Sequence, residues 1–175
     1  MKKLMTLVAV TIIAATTHAA AVGWTIMGAT NYKNGAYDIF VIGKNGVTSV
    51  DQITALVAAG TSVDSYAFYS GGSVASAGTA SLSYTASGKT ITYSGSGTDV
   101  YQAFAVLWKS DGSEASYTST ASISMDNDST SKTFAFANQS SNLANNNFTV
   151  NVPEPTSGLM LILGIAGLAL KRRRA

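Results

Sequence analysis

The chain has no cysteine, a single histidine, two prolines and no arginine before position 172. Each absence removes a class of chemistry. Without cysteine there is no disulfide, no thiolate nucleophile and no cysteine-ligated metal, so an exported domain of this sequence is held by core packing alone. The one histidine, His18, falls in the N-terminal leader described below. The body after it lacks the usual general base, the Ser-His and Cys-His nucleophile pairs and His-ligated zinc. Arginine is confined to Arg172, Arg173 and Arg174, so the body also lacks the bidentate phosphate clamp. Charge is sparse, at 11% of residues. From Ala20 to Val152 five lysines (33, 44, 89, 109, 132) face eight acids (Asp38, Asp51, Asp64, Asp99, Asp111, Glu114, Asp126, Asp128), a net of −3; the formal +2 of the whole chain comes from its two ends. A weakly acidic body without a basic stripe does not suit nucleic acid, and no metal or cofactor is expected.

The two ends carry targeting patterns. At the N-terminus, Lys2 and Lys3 precede an apolar run from Leu4 to Ala15 and small residues around Thr17, Ala19, Ala20 and Ala21. That is the anatomy of a secretory signal peptide, with cleavage after Ala19 or Ala21, and it implies passage through the Sec export machinery. At the C-terminus, Pro153-Glu154-Pro155 fixes φ at two of three positions and removes two backbone donors, which predicts an extended, exposed tripeptide. An apolar segment from Gly158 to Leu170 follows, and then Lys171-Arg172-Arg173-Arg174. Counted from Thr156, the segment has fifteen residues, roughly 22 Å as a helix and short of the ~20 residues of a comfortable transmembrane span. It suits a temporary anchor, with the four cations left on the cytoplasmic side.

Val152-Pro153-Glu154-Pro155, a Gly/Leu/Ala-rich apolar segment and a terminal Arg cluster, in this order at the extreme C-terminus, resemble the PEP-CTERM sorting signal of Gram-negative bacteria, also labelled the ice-binding protein C-terminal domain. The resemblance covers about the last two dozen residues and nothing before Val152. It implies recognition by exosortase, a multi-pass membrane protease, with Pro153, Glu154 and Pro155 in the motif positions and Arg172 to Arg174 in the basic tail. It further implies removal of the tail, release or transfer of the protein, and an association with extracellular polysaccharide.

Between the ends, every aromatic residue lies from Trp24 to Phe148. A body of about 130 residues buries roughly two thirds of its unfolded surface, and this aromatic load argues for a packed core rather than a disordered Ser/Thr stalk. Trp24–Asn31 and Ala36–Ile42 flank Lys33-Asn34-Gly35, a hairpin signal. Thr48–Ala59 reads as the one helix: Ser49 and Gln52 form a capping box, Val50, Ile53, Leu56 and Val57 share a face, and Gly60 is the stop. Period-two alternation follows at Ala80–Thr85 and Thr90–Ser94, with Ser87-Gly88 as a turn. Val100–Trp108 is apolar on both faces, as a doubly covered central strand should be. Ala121, Ile123 and Met125 with Phe134 and Phe136 read as another hairpin, and Phe148 and Val150 as a final strand.

Other constellations favour plain readings. Asp126-Asn127-Asp128-Ser129 begins as a calcium loop begins, but Thr130 and Ser131 stand where an acid or amide and the obligatory Gly belong, so it reads as a polar turn. The sequons at Asn127, Asn138 and Asn147 read as solvated loops. Eight acids leave a glycosidase-type carboxylate pair as the remaining catalytic option, and no motif brings two of them together.

The expected architecture is mainly β, an antiparallel β-sandwich or meander with one short helix, plus the N-terminal signal peptide and the C-terminal hydrophobic helix. The expected divisions are a signal peptide over 1–20, a β-rich extracellular body over 21–151 and the sorting signal over 152–175. The expected function is that of an exported, non-enzymatic surface or matrix protein, transiently anchored in the inner membrane. The rival readings are a secreted carbohydrate-active enzyme with paired carboxylates and a permanently anchored surface protein.

Overall fold

The computed structural model describes residues 18–75, 81–84, 89–93, 97–126, 131–136 and 146–151. The C-terminal apolar segment, the calcium-loop-like turn at 127–130 and the turn at Ser87-Gly88 lie outside these residues.

The described chain is mainly β, with two sheets and one helix. The first sheet is built around β1 (His18–Met27) and contains β4 (Ser81–Tyr84), β5 (Thr90–Tyr93) and β9 (Ser131–Phe136). The second is built around β6 (Asp99–Trp108) and contains β2 (Ala36–Val41), β3 (Tyr69–Ser73), β7 (Glu114–Tyr117), β8 (Ala121–Met125) and β10 (Asn147–Thr149). Alternate residues of β1, namely Ala20, Val22, Trp24 and Ile26, are buried in one cluster with Ile39 and Val41 of β2, Ala105 and Leu107 of β6, and Phe134 and Phe136 of β9. Period-two burial from both sheets into one cluster is the signature of a sandwich core. Each large side chain fully buried there contributes roughly 1.5–3 kcal/mol.

The opposite face of the second sheet carries the helix, α1 (Val50–Ala58). Ile53 and Val57 are buried against Phe40, Phe104 and Val106, with Val50 and Leu56 packed at the margin, so the predicted apolar face is the face used. Because β6 lies between sandwich core and helix layer, Ala103 to Leu107 are all fully buried, as its two apolar faces require. The helix starts where Ser49 Oγ accepts the Gln52 N–H at 3.1 Å. Only this half of the capping box forms, since the Gln52 carboxamide oxygen turns instead to the Thr48 N–H at 2.7 Å. The helix ends at Gly60 (φ 72°), with bonds from Gly60 N to Val57 O and from Thr61 N to Leu56 O, the paired arrangement that a left-handed glycine permits.

Strand pairing departs from the expected meander in three places. First, β1 and β2 are not a hairpin. Asn34 does adopt the left-handed φ of 61° that Asn-Gly announces, but a 3-10 turn at Ala29–Tyr32 carries the chain from one sheet to the other. Gly35 has its own reason to be glycine: a Cβ there would sit 1.9 Å from the Trp108 carbonyl oxygen. Second, two edges are each covered by a pair of strands running in one direction. β4 pairs with Trp24–Met27 and β5 continues against His18–Ala21. Likewise β7 pairs with Val106–Trp108 and β8 continues against Asp99–Ala103. Third, β8 and β9 are not a hairpin either, because β8 joins β6 and β9 joins β1. Crossing between sheets brings β9 in parallel to β1, the one parallel ladder among the described residues, so the sandwich is mixed rather than wholly antiparallel. The physical reason is shared: Phe134 and Phe136 alternate as well in a sheet-crossing strand as in a hairpin, and their burial beside Trp24 selects the partner.

Candidate functional site

The predicted sorting residues Pro153, Glu154 and Pro155 and the basic stop Lys171, Arg172, Arg173 and Arg174 lie outside the described residues. The last described residue, Asn151, is tied down: its N–H donates to the Ala58 carbonyl at the end of α1 at 2.9 Å, and the Val150 N–H donates to Ser113 O at 3.0 Å. Six residues, 152–157, therefore separate a pinned position from the apolar segment, a covalent reach of at most about 25 Å. Ala19, Ala20 and Ala21, the predicted cleavage region, are residues of β1; Ala20 is 1% exposed.

Beside Val150, next to the last described residue, lies a cleft of about 500 Å³, within the size range of small-ligand sites. Its floor is the helix-side face of the second sheet: Ala36 and Asp38 of β2, Gly71 of β3 and Trp108 at the end of β6. Its wall is Val57 and the segment Gly60–Asp64 that follows α1, with Val150 at one side. Asp38 interrupts an otherwise apolar strand and is 6% exposed. The local fold explains how it is tolerated. Between Tyr37 and Ile39 the pairing with β3 shifts register, and the Gly71 N–H donates to Asp38 Oδ1 at 2.9 Å. A bulge thus supplies the donor that a buried carboxylate needs. Burial nevertheless raises the Asp38 pKa above the ordinary aspartate value; the Gly71 N–H opposes this shift, and the neighbouring Asp64 charge adds to it. Asp64 stands exposed on the wall, its Oδ2 accepting from Ser62 Oγ at 3.0 Å.

The structure thus joins two of the eight acids, Asp38 and Asp64, with an indole and a hydroxyl-bearing segment, a grouping that no sequence motif contains. The signal that marks it is indirect: Asp38 occupies a position whose strand neighbours on the same face, Ala36 and Phe40, are nonpolar. A buried carboxyl beside an exposed one offers oxygens that can accept hydrogen bonds from ligand hydroxyls. Among the described residues no group of three or more His, Cys, Asp or Glu is arranged to hold a metal ion, and no helix is long and apolar enough to cross a membrane. Asn147 of the third sequon lies in β10, and its carboxamide oxygen accepts a hydrogen bond from the Tyr32 hydroxyl.

Comparison with known proteins places the identifiable part of the chain at its end. Residues 151–175 match the family model of the PEP-CTERM protein-sorting motif, so the chain carries a PEP-CTERM sorting segment with exosortase as the processing partner it implies. No curated protein and no solved structure matches the chain.

Proposed function

We propose that this is an exported cell-surface or extracellular-matrix protein, delivered by the Sec machinery, held briefly in the inner membrane by its C-terminal apolar segment and then processed by exosortase. The body is non-enzymatic in this reading and serves structure, adhesion or contact with extracellular polysaccharide. The observation that carries the proposal is the match of residues 151–175 to the PEP-CTERM protein-sorting motif. The end of the described body is in keeping with it: Asn151, two residues before Pro153 in the sequence, is hydrogen-bonded to the end of α1.

The test is the mass and location of the protein in an exosortase-bearing host. Extracellular protein should lack the segment from Leu159 to Arg174, and replacing Pro153, Glu154 and Pro155 by Ala should leave an uncleaved, membrane-held precursor. Extracellular protein that uniformly retains the segment overturns the sorting reading. Unchanged localisation of the triple variant identifies a permanent anchor instead.

One observation favours a second reading, a secreted carbohydrate-active enzyme with paired carboxylates: Asp38 and Asp64 share the cleft with Trp108. Release of reducing sugar from polysaccharide by the unmodified protein, lost in both Asp38→Asn and Asp64→Asn, would establish it. No release from the unmodified protein ends it.

A further inference from the structure

β1 is the central strand of its sheet. One edge carries β9 over Ala21–Ile26, and the other carries β4 against Trp24–Met27 and β5 against His18–Ala21. Among the described residues β5 has no other strand partner: its whole ladder is His18↔Tyr93, Ala19↔Thr92, Ala20↔Ile91 and Ala21↔Thr90. The same residues belong to the core. Ala20 and Val22 are each 1% exposed, and Ile91 and Tyr93 opposite them are 2% and 6% exposed.

Among the bonds that follow a pair of small residues spaced as processing requires are Ala19–Ala20, with Thr17 and Ala19 before it, and Ala21–Val22, with Ala19 and Ala21 before it. They have opposite consequences for the fold. A cut after Ala21 removes every ladder partner of β5, leaving the bond from the Val22 nitrogen to Lys89 O as its remaining backbone tie to β1. It also creates an α-ammonium on Val22, whose side chain is in the core and whose register neighbour across the sheet is Lys132. A charge created beside a sheet interior is costly to desolvate. A cut after Ala19 keeps Ala20 and Ala21 opposite Ile91 and Thr90. A cut before His18, where Ala15 and Thr17 also have the small-residue spacing, keeps all four pairs.

We infer that the leader is removed on the N-terminal side of Ala20, so that the mature chain retains Ala20 and Ala21 as the strand that holds β5, and that the Ala21–Val22 bond survives. The inference rests on the leader reading of residues 1–20 and narrows its two cleavage choices. The step is a hydrolysis: water adds across the peptide bond, the carbonyl carbon departs with the leader as a carboxylate, and the nitrogen stays as the α-amino group of the mature chain. A processing enzyme reads its site in an extended, unpaired chain. Cleavage therefore precedes closure of this sheet, which also needs β9 from residues 131–136. After closure, Ala21–Val22 lies between β5 and β9 and is shielded from later trimming.

The test is N-terminal sequencing and intact mass of the full-length protein exported by its host. A mature start from Thr16 to Ala20 is the expected result. A start at Ala21 or beyond overturns the inference and leaves the leader reading standing, whereas a chain that still begins at Met1 overturns both. The variant Ala21→Gln supplies a second arm that does not depend on folding, because processing comes first. Its large side chain blocks a cut after position 21 and leaves one upstream unaffected. The same mature start as the unmodified protein is expected, and accumulation of uncut precursor overturns the inference.

Discussion

The Thr118 hydroxyl oxygen accepts the Ala105 backbone N–H at 2.9 Å, while the Thr118 N–H donates to the Ala105 carbonyl, also at 2.9 Å. One residue therefore takes both ladder bonds of Ala105 at the break where β7 ends and β8 begins along β6. Thr118 and Ala105 are both fully buried, so neither group has access to water.

Thr118→Val keeps the shape and removes the acceptor, leaving a buried N–H without a partner. The expected loss of stability is about 1–3 kcal/mol, measured as a lower denaturation midpoint with an unchanged denaturant slope. Thr118→Ser keeps the oxygen and should cost less than the valine variant. Equal stability of the valine variant and the unmodified protein would contradict the role assigned to this hydroxyl.

Asp38 should make the body less stable as pH rises. Its folded pKa lies above its unfolded one because of burial. In the window between the two, the folded state binds more protons, and stability falls as pH rises through the folded value. Asp38→Asn retains an oxygen for the Gly71 N–H, so it should flatten this slope just above the ordinary aspartate range and leave neutral-pH stability unchanged or improved. Asp38→Leu removes the acceptor of the exposed Gly71 N–H and should cost about 0.5–1.5 kcal/mol through that bond. Thermal unfolding of the three proteins from pH 3 to pH 8 checks both statements.

Two glycines should respond very differently to alanine. At Gly35 a Cβ would lie 1.9 Å from the backbone oxygen of Trp108, and a backbone atom cannot step aside cheaply. At Gly43, with φ of 82°, a Cβ meets nothing within 4 Å, and only the left-handed backbone is disfavoured. Gly43→Ala is expected to cost about 1–2 kcal/mol and Gly35→Ala roughly 3 kcal/mol or more. Comparable midpoints for the two variants would show that β6 yields at Trp108.

Ser49→Ala removes the oxygen that accepts the Gln52 N–H and should destabilise the body by about 1 kcal/mol. Gln52→Ala tests the other contact, the carboxamide bond to the Thr48 N–H. If the hydrogen-bonding pattern holds, the double variant is more damaged than either single one in chemical denaturation. A Gln52→Ala variant with no loss of stability would show that the Thr48 bond is replaced by water.

Features that depend on a few consecutive residues were legible without coordinates. Ser49, Gln52 and Gly60 mark the ends of α1 because caps act on backbone groups three or four residues away, and the doubly apolar stretch around Phe104 identifies β6 because both of its faces must be covered. The tail is the extreme case. Its Pro-Glu-Pro, apolar run and basic end form a linear signal, recognisable in order along the chain and matched over residues 151–175.

Partnership was not legible, because alternation records which face is buried and not which strand lies alongside. Asn34-Gly35 sets a turn, but Trp24 and Ile39 bury on facing sheets, so the connection from β1 to β2, through the 3-10 turn at Ala29–Tyr32, crosses between layers. The cleft follows from the same pairing. Asp38 and Asp64 meet only because β2 forms the floor beneath the segment that leaves α1. Ala19, Ala20 and Ala21 show the limit most clearly. Three small residues suit the end of a leader and an interior strand equally, and their pairing with Thr90–Tyr93 is set by a distant part of the chain. The sequence by itself determined the sorting signal of the tail, because such a signal is read along the chain; the tertiary structure decided which strands pair and which acids share a cleft, because burial and pairing are decided by distant residues.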